Sequence, residues 1–374
     1  MITVRDRPLA LMGCGFEGNK LFWRLREEGF DVTFAVDNKR SDNFWGKHIS
    51  RLEDVLNCIP YFLISSDKYY EEFKIQLESK GLKEFDDFIK GGAYNRKVTV
   101  INANCYGPIY NDMLKSNAEF TLKYYIYDCM PFYAVEERDK SMLENTDVCI
   151  TQDIKDTERN HLFSEKYIRG MLNEDAKVIV VPNLVGLGKI FYPQYGELNK
   201  KSNDAWSATG FFKYSDKIIE EKVELNMTNQ EIYNFIQDEN VFDKKQIKDY
   251  FDEEIERFAK RENGWDVKII DDIKGLYHET QIFYDPQHPT NLVFELIIKK
   301  LLKLLDIHDV NIKSREHLGW DEMPVYPEVA KVLGLNWWTS NIKIRQNSNL
   351  KFCNNMELVD YITEYTAWCY ERNK

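Results

Sequence analysis

A cysteine and a distant aspartate–histidine pair are the residues of this sequence best suited to covalent chemistry. Cys105 follows an apolar run at 98–101, and Asp285-Pro-Gln-His288 stands just ahead of a long amphipathic pattern. A thiol needs a base to act as a nucleophile, and an aspartate at this spacing can orient a histidine within the same turn. The sequence therefore predicts a site with Cys105 as nucleophile, His288 as base and Asp285 as its orienting partner.

Each of these residues also has a purely structural explanation. A cysteine is often a small buried hydrophobe, and Asp285 and His288 could simply cap the following helix. Gln152 ends another apolar run, and its side-chain amide, with backbone amides near Cys105, could stabilise an oxyanion. Taken together, the four residues favour the catalytic interpretation.

A glycine-rich loop near the start of the sequence predicts a second site. Gly13-x-Gly15-x-x-Gly18 lies between an apolar run at 9–12 and a helical pattern, and Asp37 ends the next apolar run. This spacing lets the backbone approach a phosphate at a helix N-terminus, and a carboxylate at Asp37 could bind a ribose. The unit has room for only half of a dinucleotide domain, which favours a mononucleotide or nucleotide-sugar over NAD. The alternative is a Rossmann-like fold that has lost its ligand.

Several other polar and aromatic residues are weaker candidates. Arg159 heads a basic set after Gln152 that could contact the phosphates of a cofactor, although a solvated charged face is the commoner role of such a set. Trp337-Trp338 could stack on a sugar, but such pairs more often belong to a core. His308 and His317 have no partners at metal-ligand spacing, so we predict no metal site.

Short apolar runs alternate with helical patterns along most of the chain. The predicted strands are 9–12, 32–36, 61–64, 98–101, 121–127, 148–151 and 177–181. The predicted helices are 19–28, 69–79, 106–114, 229–237, 244–261, 290–305, 327–333 and 356–370. This alternation predicts an α/β protein with parallel sheets and right-handed crossovers.

The predicted fold class is α/β with two successive sheets. We predict a small Rossmann-like parallel-sheet domain at 1–95 and a flavodoxin-like three-layer α/β/α domain at 96–310. A helical insertion is expected at about 203–262, and a helical extension at 311–374.

The block from 98 to about 305 resembles the WcbI family of capsular polysaccharide biosynthesis proteins. The segments that carry the resemblance are Asn104-Cys105, Asp147-Val-Cys-Ile-Thr-Gln152, Val181-Pro182-Asn183 and the Asp285/His288 turn. The resemblance implies binding of coenzyme A or acetyl-CoA and O-acetylation of capsule sugars. It makes Asn104, Asn183 and Arg159 candidates for contacts with the cofactor.

The same layout is similar to that of the SGNH hydrolases. Their nucleophile position falls on Cys105, their oxyanion side chain on Gln152, and their late acid and base on Asp285 and His288. The hydrolase Gly-Asp-Ser is replaced here by Ala103-Asn104-Cys105, and the usual asparagine by Gln152. A thiol nucleophile fits acyl transfer from a thioester, because exchange between a thiol and a thioester is nearly isoenergetic.

The N-terminal stretch at about 8–90 resembles the small N-terminal domains of bacterial sugar-modifying enzymes, including sugar O-acetyltransferases with a nucleotide-sugar pocket. The resemblance lies in the glycine loop, in Val36-Asp37-Asn38 and in Trp45-Gly46. It implies a nucleotide-sugar as the ligand of this domain.

Composition limits the remaining possibilities. A net charge of −12 argues against nucleic acid or anionic membrane surfaces as partners. Seven cysteines without a C-x-x-C pair indicate free thiols in a reducing compartment. No signal peptide or membrane-length apolar stretch is evident, so we expect a cytoplasmic protein.

The expected function is acyl transfer from acyl-CoA to a sugar hydroxyl. A carbohydrate esterase with the same residues and a non-catalytic CoA or nucleotide-sugar binding module remain as alternatives. The sequence leaves open whether the chain forms a homo-oligomer.

Overall fold

The structure is a computed structural model that describes residues 7–198, 212–238, 241–313, 315–319, 321–348 and 351–372. The chain divides into two compact units. The first comprises Met1–Ile179 with Ile307–Asp309, and the second comprises Val180–Asp306 with Val310–Lys374.

The first unit begins with a six-stranded sheet. Its strands are β1 (Leu9–Met12), β2 (Val32–Val36), β3 (Asn43–Phe44), β4 (Lys47–Ser50), β5 (Tyr61–Ile64) and β6 (Phe88–Lys90). They lie in the order β3-β4-β2-β1-β5-β6, and all neighbours are parallel except the β3–β4 hairpin. Without β3, this matches the first five strands of the order 3-2-1-4-5-6 of doubly wound folds. The winding therefore reverses between β1 and β5.

A second, four-stranded sheet follows in the same unit. Its strands are β7 (Lys97–Asn102), β8 (Tyr124–Asp128), β9 (Val148–Gln152) and β10 (Lys177–Val181), in the order β10-β9-β7-β8. Strand β7 is parallel to both β8 and β9. These are the first four strands of the flavodoxin order 2-1-3-4-5, so the winding reverses between β7 and β9. The boundary between the two units falls inside β10.

Helices connect the strands of both sheets. They are α1 (Phe16–Glu27), α2 (Leu52–Val55), α3 (Tyr70–Glu78), α4 (Gly107–Lys115), α5 (Ala118–Lys123), α6 (Lys140–Glu144) and α7 (Glu165–Met171). One buried hydrophobic cluster includes Leu11 and Leu63 of the first sheet together with Val100 and Cys149 of the second. The hydrophobic core therefore continues across the segment at 91–95. The domain boundaries at 95 and 310 stay a prediction.

The second unit is mainly helical. Its helices are α8 (Lys217–Glu224), α9 (Asn229–Gln237), α10 (Lys244–Glu262), α11 (Ile270–Leu276), α12 (Asn291–Leu304), α13 (Pro327–Leu333) and α14 (Leu358–Arg372). Among the described residues, two pairs of antiparallel strands occur: β11 (Tyr195–Leu198) with β12 (Tyr214–Asp216), and β13 (Ile344–Ser348) with β14 (Lys351–Met356). The first residues of the predicted helical insertion, 203–211, lie outside the described residues. No helix in the described ranges is long and apolar enough to cross a bilayer.

The α/β class and the parallel sheets are confirmed, but the strand predicted at 121–127 was wrong in its first half. Ala118–Lys123 is helix α5, and the strand begins only at Tyr124. The physical reason is the cap at Asn117, whose Oδ1 accepts the backbone N–H of Phe120 at 2.8 Å. Such a cap starts a helix in a segment whose apolar residues also suit a strand.

Candidate active site

Cys105 lies where the second sheet reverses its winding. Strand β7 ends at Asn102, and Cys105 lies between that end and α4, whose first turn contains Pro108. Gln152 is the last residue of the neighbouring parallel strand β9. Carboxyl ends of parallel strands meet at one edge of a sheet, and ligands bind at the point of reversal. The fold thus brings Cys105 and Gln152 to the same edge.

Hydrogen bonds hold the turn that carries Cys105. The backbone N–H of Asn104 donates to Oε1 of the fully buried Gln152 at 2.8 Å. Oδ1 of Asn104 accepts the N–H of Tyr106 at 2.9 Å, and its carbonyl accepts the N–H of Gly107 at 3.0 Å. Asn104 and Gln152, predicted to contact cofactor and oxyanion, therefore also shape the turn that presents the thiol.

The thiol of Cys105 differs from the core thiols in its accessibility. Cys105 is partly exposed, whereas Cys14 and Cys149 are buried. Burial is the main cause that raises the pKa of Cys14 and of Cys149 to about 12, so both stay protonated near neutral pH. The six cysteines whose side chains are described are all free, and the side chain of Cys353 lies outside that part of the chain.

Two tyrosines that sequence reasoning missed are influenced by the charge of Cys105. Burial, and then the charge of Cys105, raises the pKa of both Tyr110 and Tyr133. Tyr110 is fully buried in α4, whereas Tyr133 is 61% exposed in the loop after β8. A loop at the carboxyl end of a parallel strand is a common place for functional residues, and this position is the signal that could have identified Tyr133.

The loop after β8 is packed against the start of α4. A Cβ atom at Gly107 would lie only 2.8 Å from the carbonyl oxygen of Cys129, so a larger residue would displace this loop. The buried guanidinium of Arg138 donates to the carboxylate of Asp128 and to the carbonyl of Met130. Arg138 therefore acts as a positioning residue for one wall beside the thiol.

In the second unit, Asp285 and His288 form a buried hydrogen-bonded pair. Oδ2 of Asp285 lies 2.7 Å from Nδ1 of His288, and Oδ1 accepts the backbone N–H of His288 at 2.9 Å. Asp285 is 1% exposed and His288 is 8% exposed. A carboxylate on Nδ1 sets the tautomer of the ring and makes Nε2 the nitrogen that exchanges protons. The predicted acid–base half of the site is thus assembled by a single turn.

Neighbouring residues hold this turn in place. The hydroxyl of Tyr214 lies 3.2 Å from Nδ1 of the imidazole. Tyr192 donates its hydroxyl to the carbonyl of Phe283 at 2.9 Å. A Cβ atom at Gly188 would lie 2.4 Å from the carbonyl oxygen of Asp285, so the backbone at Gly188 packs directly on the turn. The pair is therefore supported on several sides.

The predicted site residues are divided between the two units. Arg159 is exposed in the loop after β9 of the first unit. Asn183 is in the second unit, where its Oδ1 accepts the backbone N–H of Val185 at 3.3 Å. Because Cys105 belongs to the first unit and His288 to the second, their pairing in one site stays a prediction.

The other sequence candidates have structural partners. Nε1 of Trp337 donates to the carbonyl of Tyr277 and Nε1 of Trp338 to the carbonyl of Val325, both at 2.9 Å. Both indoles are thus anchored within the second unit. Among the described residues, no group of three His, Cys, Asp or Glu side chains is placed to hold a metal ion.

The glycine loop has the geometry that its spacing predicts. It joins β1 to α1, and Gly13 has a φ of 96°, which favours glycine. A Cβ atom at Gly18 would lie 2.1 Å from the carbonyl oxygen of Gly13, so the helix and the loop touch through backbone. A cavity of about 550 Å³ is lined by all three glycines, Asp37 and Ser65. It lies at the carboxyl ends of β1 and β5, where the winding of this sheet reverses.

Asp37 closes this loop with its carboxylate. It accepts the backbone N–H groups of Cys14 at 2.8 Å, Lys39 at 2.9 Å and Arg40 at 3.0 Å. Burial acts to raise the pKa of Asp37, but these hydrogen bonds and the charge of Arg40 hold it below its ordinary value. A ribose bound at Asp37 would share a carboxylate that already accepts hydrogen bonds from three backbone N–H groups.

Comparisons with known proteins find one family and one related structure. The family model of the polysaccharide biosynthesis enzyme WcbI matches residues 98–310, more than half of the chain. A solved structure of WcbI superposes with a TM-score of 0.58 and 15% identity, covering 74% of this chain and 90% of that one. That protein is described as a novel polysaccharide biosynthesis enzyme, in its native form without a disulfide bond between coenzyme A and a cysteine.

At this identity the superposition shows a shared fold. A search of curated proteins found no match. The match over 98–310 contains Cys105, Gln152 and the Asp285–His288 turn. The chain therefore belongs to the WcbI family of polysaccharide biosynthesis enzymes.

Proposed function

We propose that this protein transfers an acyl group, such as acetyl, from acyl-coenzyme A to a sugar hydroxyl in capsular or surface polysaccharide biosynthesis. The observation that carries the proposal is the buried Asp285–His288 pair, with Nδ1 held at 2.7 Å, in a family region that also contains the accessible thiol of Cys105. The description of the WcbI neighbour in terms of coenzyme A supports CoA as the donor's carrier.

The first half-reaction acylates the enzyme. Nε2 of His288 accepts the proton of the Cys105 thiol, and the thiolate attacks the thioester carbonyl of acyl-CoA. Collapse of the tetrahedral intermediate breaks the bond between the carbonyl carbon and the CoA sulfur, which takes the proton from His288. The products are free CoA and an acyl thioester on Cys105.

The second half-reaction delivers the acyl group. A sugar hydroxyl gives its proton to His288 while its oxygen attacks the acyl thioester, and the departing Cys105 sulfur recovers that proton. Asp285 stabilises the imidazolium that forms in each half. Water in place of the sugar would make the same residues an esterase, so the acceptor decides between the two activities.

The oxyanion of both intermediates needs donors beside Cys105. The N–H of Asn104 already donates to Gln152, and the N–H groups of Tyr106 and Gly107 donate to Asn104. The backbone N–H of Cys105 has no partner among the described residues and is the donor we propose, together with Nε2 of Gln152. Two preorganised donors at this point would be worth several kcal/mol of transition-state stabilisation, since loss of one such donor costs about 3–4 kcal/mol elsewhere.

The proposal extends to the cofactor contacts and to the first sheet. Arg159, Asn104 and Asn183 would contact coenzyme A, and the cavity at the glycine loop would bind a nucleotide-sugar. Its volume of about 550 Å³ and the backbone approach allowed by the three glycines support a nucleotide as ligand. Free thiols support a reducing, cytoplasmic location for the reaction.

The acyl-enzyme itself tests this proposal. The full-length protein is incubated with acetyl-CoA and its intact mass is measured, with peptide mapping to locate the label. We expect one added acetyl group on Cys105, none in Cys105→Ala, and unchanged labelling in Cys58→Ala, which removes an exposed thiol outside the site. An acetyl group that persists in Cys105→Ala, or a protein that never acquires one and never releases CoA, would refute this mechanism.

A further inference from the structure

A cavity of the second unit is lined by none of the residues proposed to carry out acyl transfer. Its volume is about 370 Å³, and its walls come from the segment 189–196, from the start of α8 and from the first turns of α10. The polar and aromatic residues that line it include Lys189, Tyr195, Lys217, Gln246 and Tyr250.

The cavity lies directly behind the Asp285–His288 turn. Burial raises the pKa of Tyr195, one of its lining residues, and the side chain of Gln287 opposes that shift. The ring of Tyr195 packs edge-on against Tyr214 at 5.8 Å, and the hydroxyl of Tyr214 lies 3.2 Å from Nδ1 of His288. An occupant of the cavity would therefore touch Tyr195, which packs on Tyr214, although neither Tyr214 nor His288 lines the cavity.

The charges at this cavity favour an anion. The ammonium of Lys189 lies 5.2 Å from the centre of the Tyr195 ring, and Lys217 lines the same cavity. Within the described part of the chain, neither lysine is paired with a carboxylate. The one lining carboxylate, Asp243, already accepts the backbone N–H groups of Lys245 and Gln246 as the cap of α10. Among the described residues that line the cavity, the two lysines therefore favour an anion, in a chain whose net charge is −12.

The aromatic lining favours a ring-shaped, hydroxylated ligand. Tyr195 and Tyr250 are partly buried, and each combines an apolar ring face with a polar hydroxyl. Gln246 adds both a donor and an acceptor for hydroxyl groups. A concave site with aromatic walls and a few polar groups is typical of small-ligand sites, and these groups together match a sugar that bears an anionic substituent.

We propose that this cavity is a subsite for an anionic sugar, a uronate or a sugar phosphate, bound through Lys189 and Lys217 with its ring against Tyr195 or Tyr250. Its assignment to the acceptor rests on the proposed function. Because the cavity lies behind the catalytic turn, its occupant is a neighbour of the sugar that is acylated. The acceptor is therefore an oligosaccharide or polymer with a negatively charged residue beside the modified one.

Calorimetric titration of the full-length protein tests this subsite. The probes are glucuronic acid, glucose 6-phosphate, glucose and inorganic phosphate. We expect one or both anionic sugars to bind at least tenfold more tightly than glucose or inorganic phosphate. The double variant Lys189→Ala/Lys217→Ala should lose at least tenfold in affinity for the bound sugar, as expected for two lost charge-assisted hydrogen bonds. The matched control Lys248→Ala removes an exposed lysine of α10 that does not line the cavity and should bind as the unchanged protein does.

The outcomes separate this inference from the proposed function. Equal affinity for glucose and glucuronic acid, equal affinity for inorganic phosphate, or unchanged binding in the double variant would overturn the subsite. The acetylation of Cys105 is measured in the same variants, because the subsite makes no contact with the donor. If Cys105 is acetylated but no sugar binds, the subsite alone is overturned. If a sugar binds and the double variant loses that binding, but Cys105 is never acetylated, the result supports the subsite and counts against the transferase.

Discussion

The acid–base role proposed for His288 depends on one neighbouring carboxylate, that of Asp285. Asp285 binds Nδ1 of the ring and, through its other oxygen, the backbone N–H of the same residue, so both the ring and its turn depend on Asp285. In the proposed mechanism, a carboxylate so placed would stabilise the imidazolium formed when the thiol or the sugar hydroxyl loses its proton. The arrangement requires only a D-x-x-H turn and adjacent packing.

Asp285→Asn tests this dependence. Asn keeps the size of the side chain and one acceptor oxygen for the backbone, but it can turn an amide N–H₂ toward Nδ1 and favour the wrong tautomer of His288. We expect the rate of Cys105 acetylation by acetyl-CoA to fall by roughly 10³-fold or more, on the scale of the same change in serine proteases. Asp271→Asn, which alters an exposed carboxylate of the same unit, should leave that rate unchanged. Equal rates in both variants would contradict the role of Asp285.

Local patterns singled out the residues proposed for the site, whereas long-range contacts supplied the neighbouring residues that were missed. The Asp285–His288 pair forms within one turn, and Cys105 and Gln152 follow from the ends of two apolar runs. Tyr133 and Arg138 depend on the loop after β8, which packs against the start of α4. No residue spacing in the sequence predicts that contact.

At the scale of elements, the sequence predicted the strands with continuous apolar runs best. Strands β1, β2, β5 and β10 begin and end where their apolar runs do. The hairpin β3–β4 was not foreseen, because β3 has only two residues and β4, Lys-His-Ile-Ser, contains a single apolar residue. The second half of helix α5 was mistaken for strand, because one capping side chain at Asn117 outweighed the apolar content of the segment after it.

Helix α3 is joined to β8 by a buried cluster around Glu84. The hydroxyls of Tyr70 and Tyr127 both donate to the Glu84 carboxylate and lie 2.8 Å apart. Nζ of Lys74 is 2.5 Å from the same carboxylate. Strand β8 leads into the loop beside Cys105, so this cluster also supports the site.

Tyr127→Phe removes one charge-assisted hydrogen bond from this cluster. We expect the free energy of unfolding to fall by about 1.5–3 kcal/mol, because the buried carboxylate of Glu84 loses a donor. The control Tyr69→Phe alters a tyrosine that is 44% exposed at the start of the same helix and should change stability by less than about 0.5 kcal/mol. Urea unfolding measures both variants. Equal urea midpoints for Tyr127→Phe and the unchanged protein would show that the Tyr127 hydroxyl does not stabilise the contact between α3 and β8.

Asp216 caps helix α8 from a fully buried position, and its titration should affect stability. Burial raises the pKa of Asp216 to about 7, against the hydrogen bonds from Ile219, Tyr326 and Ile218 that oppose the shift. The unfolded value is near 3.9. Between about pH 4 and 7 the folded state therefore holds a proton that the unfolded state has released, and the contribution of this group to stability decreases as pH rises through that range.

Asp216→Asn removes this titration. The unfolding free energy of the unchanged protein minus that of the variant should fall as pH rises from about 4.5 to 7, as measured by urea unfolding at several pH values. Above about pH 7.5 the two curves should run parallel, because the carboxyl is then ionised in both states of the unchanged protein. Identical slopes across the lower range would place the pKa of Asp216 near its ordinary value.

At the scale of the whole molecule, the family match from 98 to 310 extends over both compact units. The sequence could not reveal that residues 307–309 return to the first unit. There, the carboxylate of Glu119 accepts the N–H groups of His308 and Asp309, both at 2.9 Å, and Asn117 donates to the carbonyl of Asp309. These contacts join residues far apart in the chain, and hydrophobic periodicity carries no information about them.

The most direct test of a catalytic Cys105 is its alkylation by iodoacetamide near pH 7 in the full-length protein, with and without saturating CoA. Peptide mapping follows each thiol, and exposed Cys58 reports any general effect of CoA on the reagent. We predict that Cys105 reacts much faster than buried Cys14 and Cys149, that CoA slows its alkylation at least tenfold, and that the rate at Cys58 does not change. A Cys105 as inert as the buried thiols, or one whose alkylation CoA leaves unchanged, would contradict a catalytic cysteine in a coenzyme A site.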